Sequence, residues 1–146
     1  MVKDEHSALK ASFERALEFL NAGDHVMAEK ICRKAIKEIS NSDPNIQVLL
    51  AVSLIRQGRS GSAVKRLKHT LRAFPDFPPA HEELGNALLA QNKPENAIEA
   101  FKKVLQLKPD NAGAMIKLGK IYKQLGRNDE ANEFYKSALS LEPTKE

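Results

Sequence analysis

Few residues in this chain have the type and spacing to do chemistry, and each group fails a specific test. Its four histidines, His6, His25, His69 and His81, are scattered, with no second ligand at metal-binding spacing. His81 precedes Glu82 and Glu83, but on a helix neighbouring positions diverge, so it reads as an exposed or packing residue. Cys32 has no charged helix start or obvious histidine partner to make it a nucleophile, and one cysteine forms no internal disulfide. The glycines of GRSGSA (residues 58–63) lie between two helical patterns, whereas a phosphate loop joins a strand to a helix. Lys117, Lys120 and Lys123 fall three apart on one helix side, either a solvated row or a receptor for an acidic segment or terminal carboxylate. These residues predict no enzyme, no cofactor and no metal.

Composition narrows the class further. The chain has 146 residues, 42% hydrophobic and 29% charged, as a folded, water-soluble protein does. No window approaches a membrane span, and the first residues lack the apolar core of a secretion signal. A cytoplasmic protein without membrane contact is the expectation. Lysines and arginines (23) are interspersed with acids (19), with no basic run of five and no aromatic platform, which argues against nucleic-acid binding.

The elements that would position any site repeat at a fixed interval. Ala131, Ala97, Ala63 and Ala28 are 34, 34 and 35 residues apart. Twelve residues before each stands a small residue: Gly119, Gly85, Ala51 and Ala16. Twelve residues after stand Pro143, Pro109 and Pro75, with Ser40 in the remaining copy. Within a copy, Met115, Leu118, Gly119 and Tyr122 recur at helical spacing, Leu125 and Gly126 break the pattern, and a second helical run follows to Pro143. Each unit is therefore helix, short turn, helix. The small residues let two antiparallel helices approach closely, and Leu118, Tyr122 and Tyr135 fill the volume beside them.

This order of residues, Leu-Gly-x-x-Tyr, then Gly, Ala, Tyr, Ala and Pro on a 34-residue period, resembles the tetratricopeptide repeat. The likeness runs from about Leu9 to Pro143. It divides the chain, read as one domain over 1–146, into units near 9–43, 44–77, 78–111 and 112–146. The first is degenerate, with Arg15 where leucine is expected and Cys32 where an aromatic is usual. The period disfavours pentatricopeptide RNA readers, which repeat at 35.

The resemblance implies an all-α, right-handed α-solenoid of four repeats, with the first helix of each lining a concave groove that takes a peptide or partner domain. The groove positions are then Phe13, Leu17 and Leu20; Val48, Leu49, Val52 and Ile55; Glu82, Glu83, Asn86 and Leu89; and Lys117, Lys120, Lys123 and Gln124, with Ile116 among them. Some chaperone-docking members use a lysine and an asparagine of the first repeat to clamp a carboxylate. Phe13 and Leu17 occupy those places, so that clamp is absent.

NIQVLLAVSLIRQG (residues 45–58) is apolar almost all round, so its helix must be covered on most sides. Either the N-terminal helix, with Phe13 and Leu17, folds across Val48, Val52 and Ile55 as core, or these residues form an open groove for an apolar partner segment, or they self-associate. Phe134, Leu139 and Leu141 near the chain end have no polar capping helix after them, which points to a longer protein or to a second chain over that end. The expected function is a protein–protein interaction scaffold. One alternative is the regulatory or targeting arm of a larger enzyme, because stretches such as AIEAFKKVLQLKPDN resemble repeats that precede sulfotransferase or glycosyltransferase domains. The other is a homo-oligomerising assembly module.

Overall fold

The computed structural model describes residues 2–40 and 43–141. Eight helices form antiparallel pairs: α1 (Val2–Asn21) with α2 (His25–Glu38), α3 (Pro44–Arg56) with α4 (Ser60–Ala73), α5 (Pro78–Ala90) with α6 (Pro94–Leu107), and α7 (Ala112–Gln124) with α8 (Asn128–Ser140). No strand occurs among the described residues. The sequence pattern starts the first helix near Leu9, whereas α1 begins at Val2. Pro143, expected to close the last helix, lies outside the described residues.

Local chemistry starts and stops these helices at regular places. Asp24, Asp43 and Asn111 cap α2, α3 and α7 by accepting from the backbone N–H of Met27 (3.0 Å), Ile46 (3.1 Å) and Ala114 (2.9 Å). Pro44, Pro78 and Pro94 sit at the first helical positions, where a missing N–H leaves nothing unsatisfied. Each hairpin turn reverses through one residue of positive φ: Gly23 at 89°, Gly58 at 79°, Asn92 at 60° and Gly126 at 77°. The N–H of the next residue then reaches back to the helix it leaves. Asp24 bonds the Phe19 carbonyl at 2.8 Å, Arg59 that of Leu54 at 2.8 Å, Lys93 that of Leu88 at 2.9 Å and Arg127 that of Tyr122 at 2.8 Å. Asparagine tolerates this left-handed geometry better than other side chains, which is why Asn92 can replace the glycine.

Packing within a pair turns on one small residue under one large one. A Cβ on Gly85 of α5 would lie 2.6 Å from the Phe101 ring of α6, and a Cβ on Gly119 of α7 would lie 2.6 Å from the Tyr135 ring of α8. At the equivalent positions of the first two pairs, alanine replaces the glycine and a smaller residue replaces the ring: Ala16 with Cys32 and Ala51 with Leu67, all buried. Alanine with leucine roughly matches glycine with a ring in summed volume, whereas alanine with cysteine in the first pair is smaller. In the last pair, Tyr122 also stacks on Phe134 at 5.6 Å, and the Arg127 guanidinium covers the Tyr122 ring at 4.8 Å.

Pairs stack through their neighbours. Every even-numbered helix up to α6 packs on the odd-numbered helix that follows it, while α1 also touches α3 and α3 touches α5. α1, α3 and α5 therefore pack side by side along one side of the array. Contact between α5 and α7 falls away, and the α6–α7 junction is the least extensive of its kind. The array opens there.

Candidate functional site

A cleft of about 330 Å³ lies on the odd-numbered helices at that opening. Its walls are Val52, Ile55 and Arg56 of α3, Glu83, Asn86 and Leu89 of α5, and Lys117 of α7. Val52 and Asn86 stand one repeat apart, as do Ile55 and Leu89, so the same two positions of successive helices supply both the apolar and the polar lining. Helical spacing puts Glu83 and Asn86 on one side of α5, and the Asn86 amide nitrogen donates to Glu83 Oε2 at 3.2 Å. The Asn86 amide oxygen is buried and has no hydrogen-bond partner. Such an acceptor costs free energy until a donor reaches it.

Burial pushes the Glu83 carboxyl above its ordinary range and Glu82 adds to this, while the Asn86 hydrogen bond, Arg56 and Lys117 pull it back. An acid whose pKa is raised by folding makes the folded state less stable when ionised; the penalty is full above the folded pKa, shrinks as pH falls through it and is gone below the ordinary unfolded value. Glu83→Gln is therefore expected to melt at a higher temperature than the parent at neutral pH, with the gap closing in acid. Melts across that pH range check this, and equal melting temperatures at neutral pH would contradict it.

The other groove positions do not join this cleft. Phe13 lines a separate hollow of about 420 Å³ between α1 and the start of α3, together with His6, Leu9, Lys10, Asp43, Asn45 and Ile46. Val48, Leu49 and Leu20 are buried, because α1 and α2 both pack on α3. Leu17 is exposed, as are Lys120, Lys123, Gln124 and Ile116, while Glu82 is half-buried beside the cleft without lining it. The lysine row is thus split: Lys117 faces the cleft and the other two face solvent. Arg56 lines the cleft and was not singled out by the sequence, since nothing distinguishes it there from the other solvated cations. Leu139 and Leu141 at the end of the array are exposed.

Cys32 is fully buried in α2, and burial, helped by the Glu29 charge, pushes its thiol up to about 12, so it stays protonated. The His81 ring nitrogen meets the Pro75 carbonyl at 2.7 Å, a contact that ties the α4–α5 connection to the start of α5. Among the described residues, no three His, Cys, Asp or Glu side chains group as metal ligands, and no helix is long and apolar enough to cross a membrane.

Comparison with known proteins agrees with this architecture. Two family models described as tetratricopeptide repeat match residues 48–112 and 88–146. No curated protein matches the chain by sequence. Among solved structures, a crystal structure of MamA superposes with a TM-score of 0.79 at 20% identity, covering 96% of this chain and 85% of that one. A thermophilic TPR protein of Thermus thermophilus, TTC0263, gives 0.82 at 22% identity over 91% of this chain and 74% of its own. MamA 41-end from Desulfovibrio magneticus RS-1 gives 0.79 at 20% identity, over 90% and 74%. At such identities the structures speak to fold alone. With matched repeats running from residue 48 to residue 146 and the same hairpin architecture extending through α1 and α2, the chain belongs to the tetratricopeptide repeat family and is an all-α solenoid.

Proposed function

We propose that this chain is a protein-interaction scaffold, built as four repeats in one domain, whose odd-helix cleft takes an extended peptide segment of a partner. The observation that carries this reading is the Asn86 amide oxygen, buried in the cleft wall without a donor. A peptide backbone N–H is the donor we assign to it. Val52, Ile55 and Leu89 beside it give an apolar anchor of the same segment a surface to cover. The role is binding, not catalysis.

Panning a displayed random-peptide library against the full chain tests this, with Val52→Lys/Ile55→Lys as the counter-selection. The doubly substituted chain must first show the parent helical melt. Enriched peptides are expected to carry one apolar anchor, to lose binding to that variant, and to bind Asn86→Ala about tenfold more weakly, as the loss of one buried hydrogen bond implies. Peptides that bind the parent and the double variant alike would remove the cleft from the proposal.

A further inference from the structure

The even-numbered helices carry a second concavity of different chemistry. From Pro44 to Pro75 the chain has no aspartate or glutamate, yet it holds Arg56, Arg59, Lys65, Arg66, Lys68 and Arg72. A cleft of about 380 Å³ opens between α2 and α4 with Leu54 of α3 among its walls, and the polar side chains around it are Arg33, Ser62, Lys65, Arg66 and His69.

The charges of this cleft are poorly compensated. Arg66 is half-buried and donates from Nη1 to the Gln47 amide oxygen at 2.8 Å, a neutral acceptor. Burial, and then the neighbouring Arg33 charge, lower the tendency of Arg66 to hold its proton. Arg33 does have a carboxylate, Glu29 at 2.7 Å, but Glu29 also takes Arg59 at 2.9 Å. One carboxylate therefore serves two guanidiniums, and Arg66 and Lys65 have no ion pair to a described acid. Burial alone would raise Glu29, but hydrogen bonds from Arg33, Gln57 and Arg59 outweigh it and hold the carboxyl below its ordinary value, so its charge is already committed. Two partly desolvated like charges repel, and an anion between them reverses the sign of that interaction.

We propose that the cleft between α2 and α4 binds a phosphoryl group carrying at least two negative charges. Guanidinium forks match the oxygens of such a group, and Lys65, His69 and the Ser62 hydroxyl add donors around the same hollow. A single carboxylate fits less well, because one negative charge leaves most of the surplus in place. The group comes either from a small phosphorylated molecule or from a phosphorylated side chain of a partner. The site shares no lining residue with the odd-helix cleft and stands independently of the peptide-binding proposal.

Calorimetric titration of the full chain at low salt tests this with two probes: inorganic pyrophosphate, and a short phosphoserine peptide beside its unphosphorylated twin. At least one probe is expected to bind in the sub-millimolar range and to weaken as salt rises. Lys65→Gln/His69→Gln, at exposed positions that leave the helices intact, is expected to weaken it by about tenfold or more. Lys102→Gln/Lys120→Gln/Lys123→Gln, at exposed positions outside both clefts, removes at least as much charge elsewhere and is expected to leave binding unchanged. Preference for pyrophosphate supports a small-molecule source, and preference for the phosphopeptide over both its twin and pyrophosphate supports a modified partner. No binding of either probe at millimolar concentration would overturn the proposal, as would equal weakening by both sets of substitutions.

Discussion

Gly85→Ala is expected to destabilise the protein by about 1–2 kcal/mol, while Gly119→Ala, at the same place in the next repeat, stays within about 0.5 kcal/mol of the parent. Both glycines lie mid-helix, where alanine alone would gain about 1 kcal/mol of helix propensity. Both also face a ring at 2.6 Å from the added Cβ. The difference is what the ring can do. Phe101 is fully buried and closed in by the core, so it can only shift other side chains or force α5 and α6 apart. Tyr135 is half-buried, and its ring can swing toward solvent. Phe101→Leu in the Gly85→Ala background recreates the Ala51 and Leu67 combination of the second pair, so the two changes should couple favourably by about 1 kcal/mol or more. Urea denaturation of the four chains measures this cycle. Equal losses at Gly85 and Gly119 would show that side-chain freedom does not decide the outcome.

That comparison marks where sequence reading reaches and where it stops. The hairpin repeat was legible because its signals are local: a left-handed residue at each turn, a capping acid or amide, a proline at a helix start. The small residue at positions 16, 51, 85 and 119 was legible too, although the bulky partner of Gly119 is the Tyr135 ring itself and not a flanking filler. Which groove position stays open was not legible. Val48 and Val52 are one helical turn apart and equally apolar, yet α1 and α2 help bury the first while the second lines the cleft. That depends on how repeats lean on each other, a sum of many weak contacts with no signature in any one residue. The basic cleft was hidden for another reason. Totals of 23 cations and 19 acids average away a stretch of 32 residues, 44–75, in which every charge is positive.

Leu50→Ala is expected to have the largest effect of any single truncation considered, about 3–4 kcal/mol, because a fully buried leucine leaves a cavity that rigid neighbours cannot fill. Its consequence should also travel. Leu50 lies on α3, which packs on α1, α2, α4 and α5, whereas α8 packs chiefly on α7. In an array held by nearest-neighbour contacts, weakening α3 releases the first two pairs together and leaves the α7–α8 pair close to its original stability. Amide hydrogen exchange should then show protection falling in α1–α4 well before α7 and α8. A uniform fall across all eight helices would mean that the chain unfolds as one unit and that the nearest-neighbour description fails. The two clefts divide along the same line. The basic one belongs to α2, α3 and α4 and should be lost with the first pairs. The odd-helix one spans α3, α5 and α7 across the loosest junction, so a peptide held there must pull α7 toward α3 and should restore protection most where the contacts are fewest.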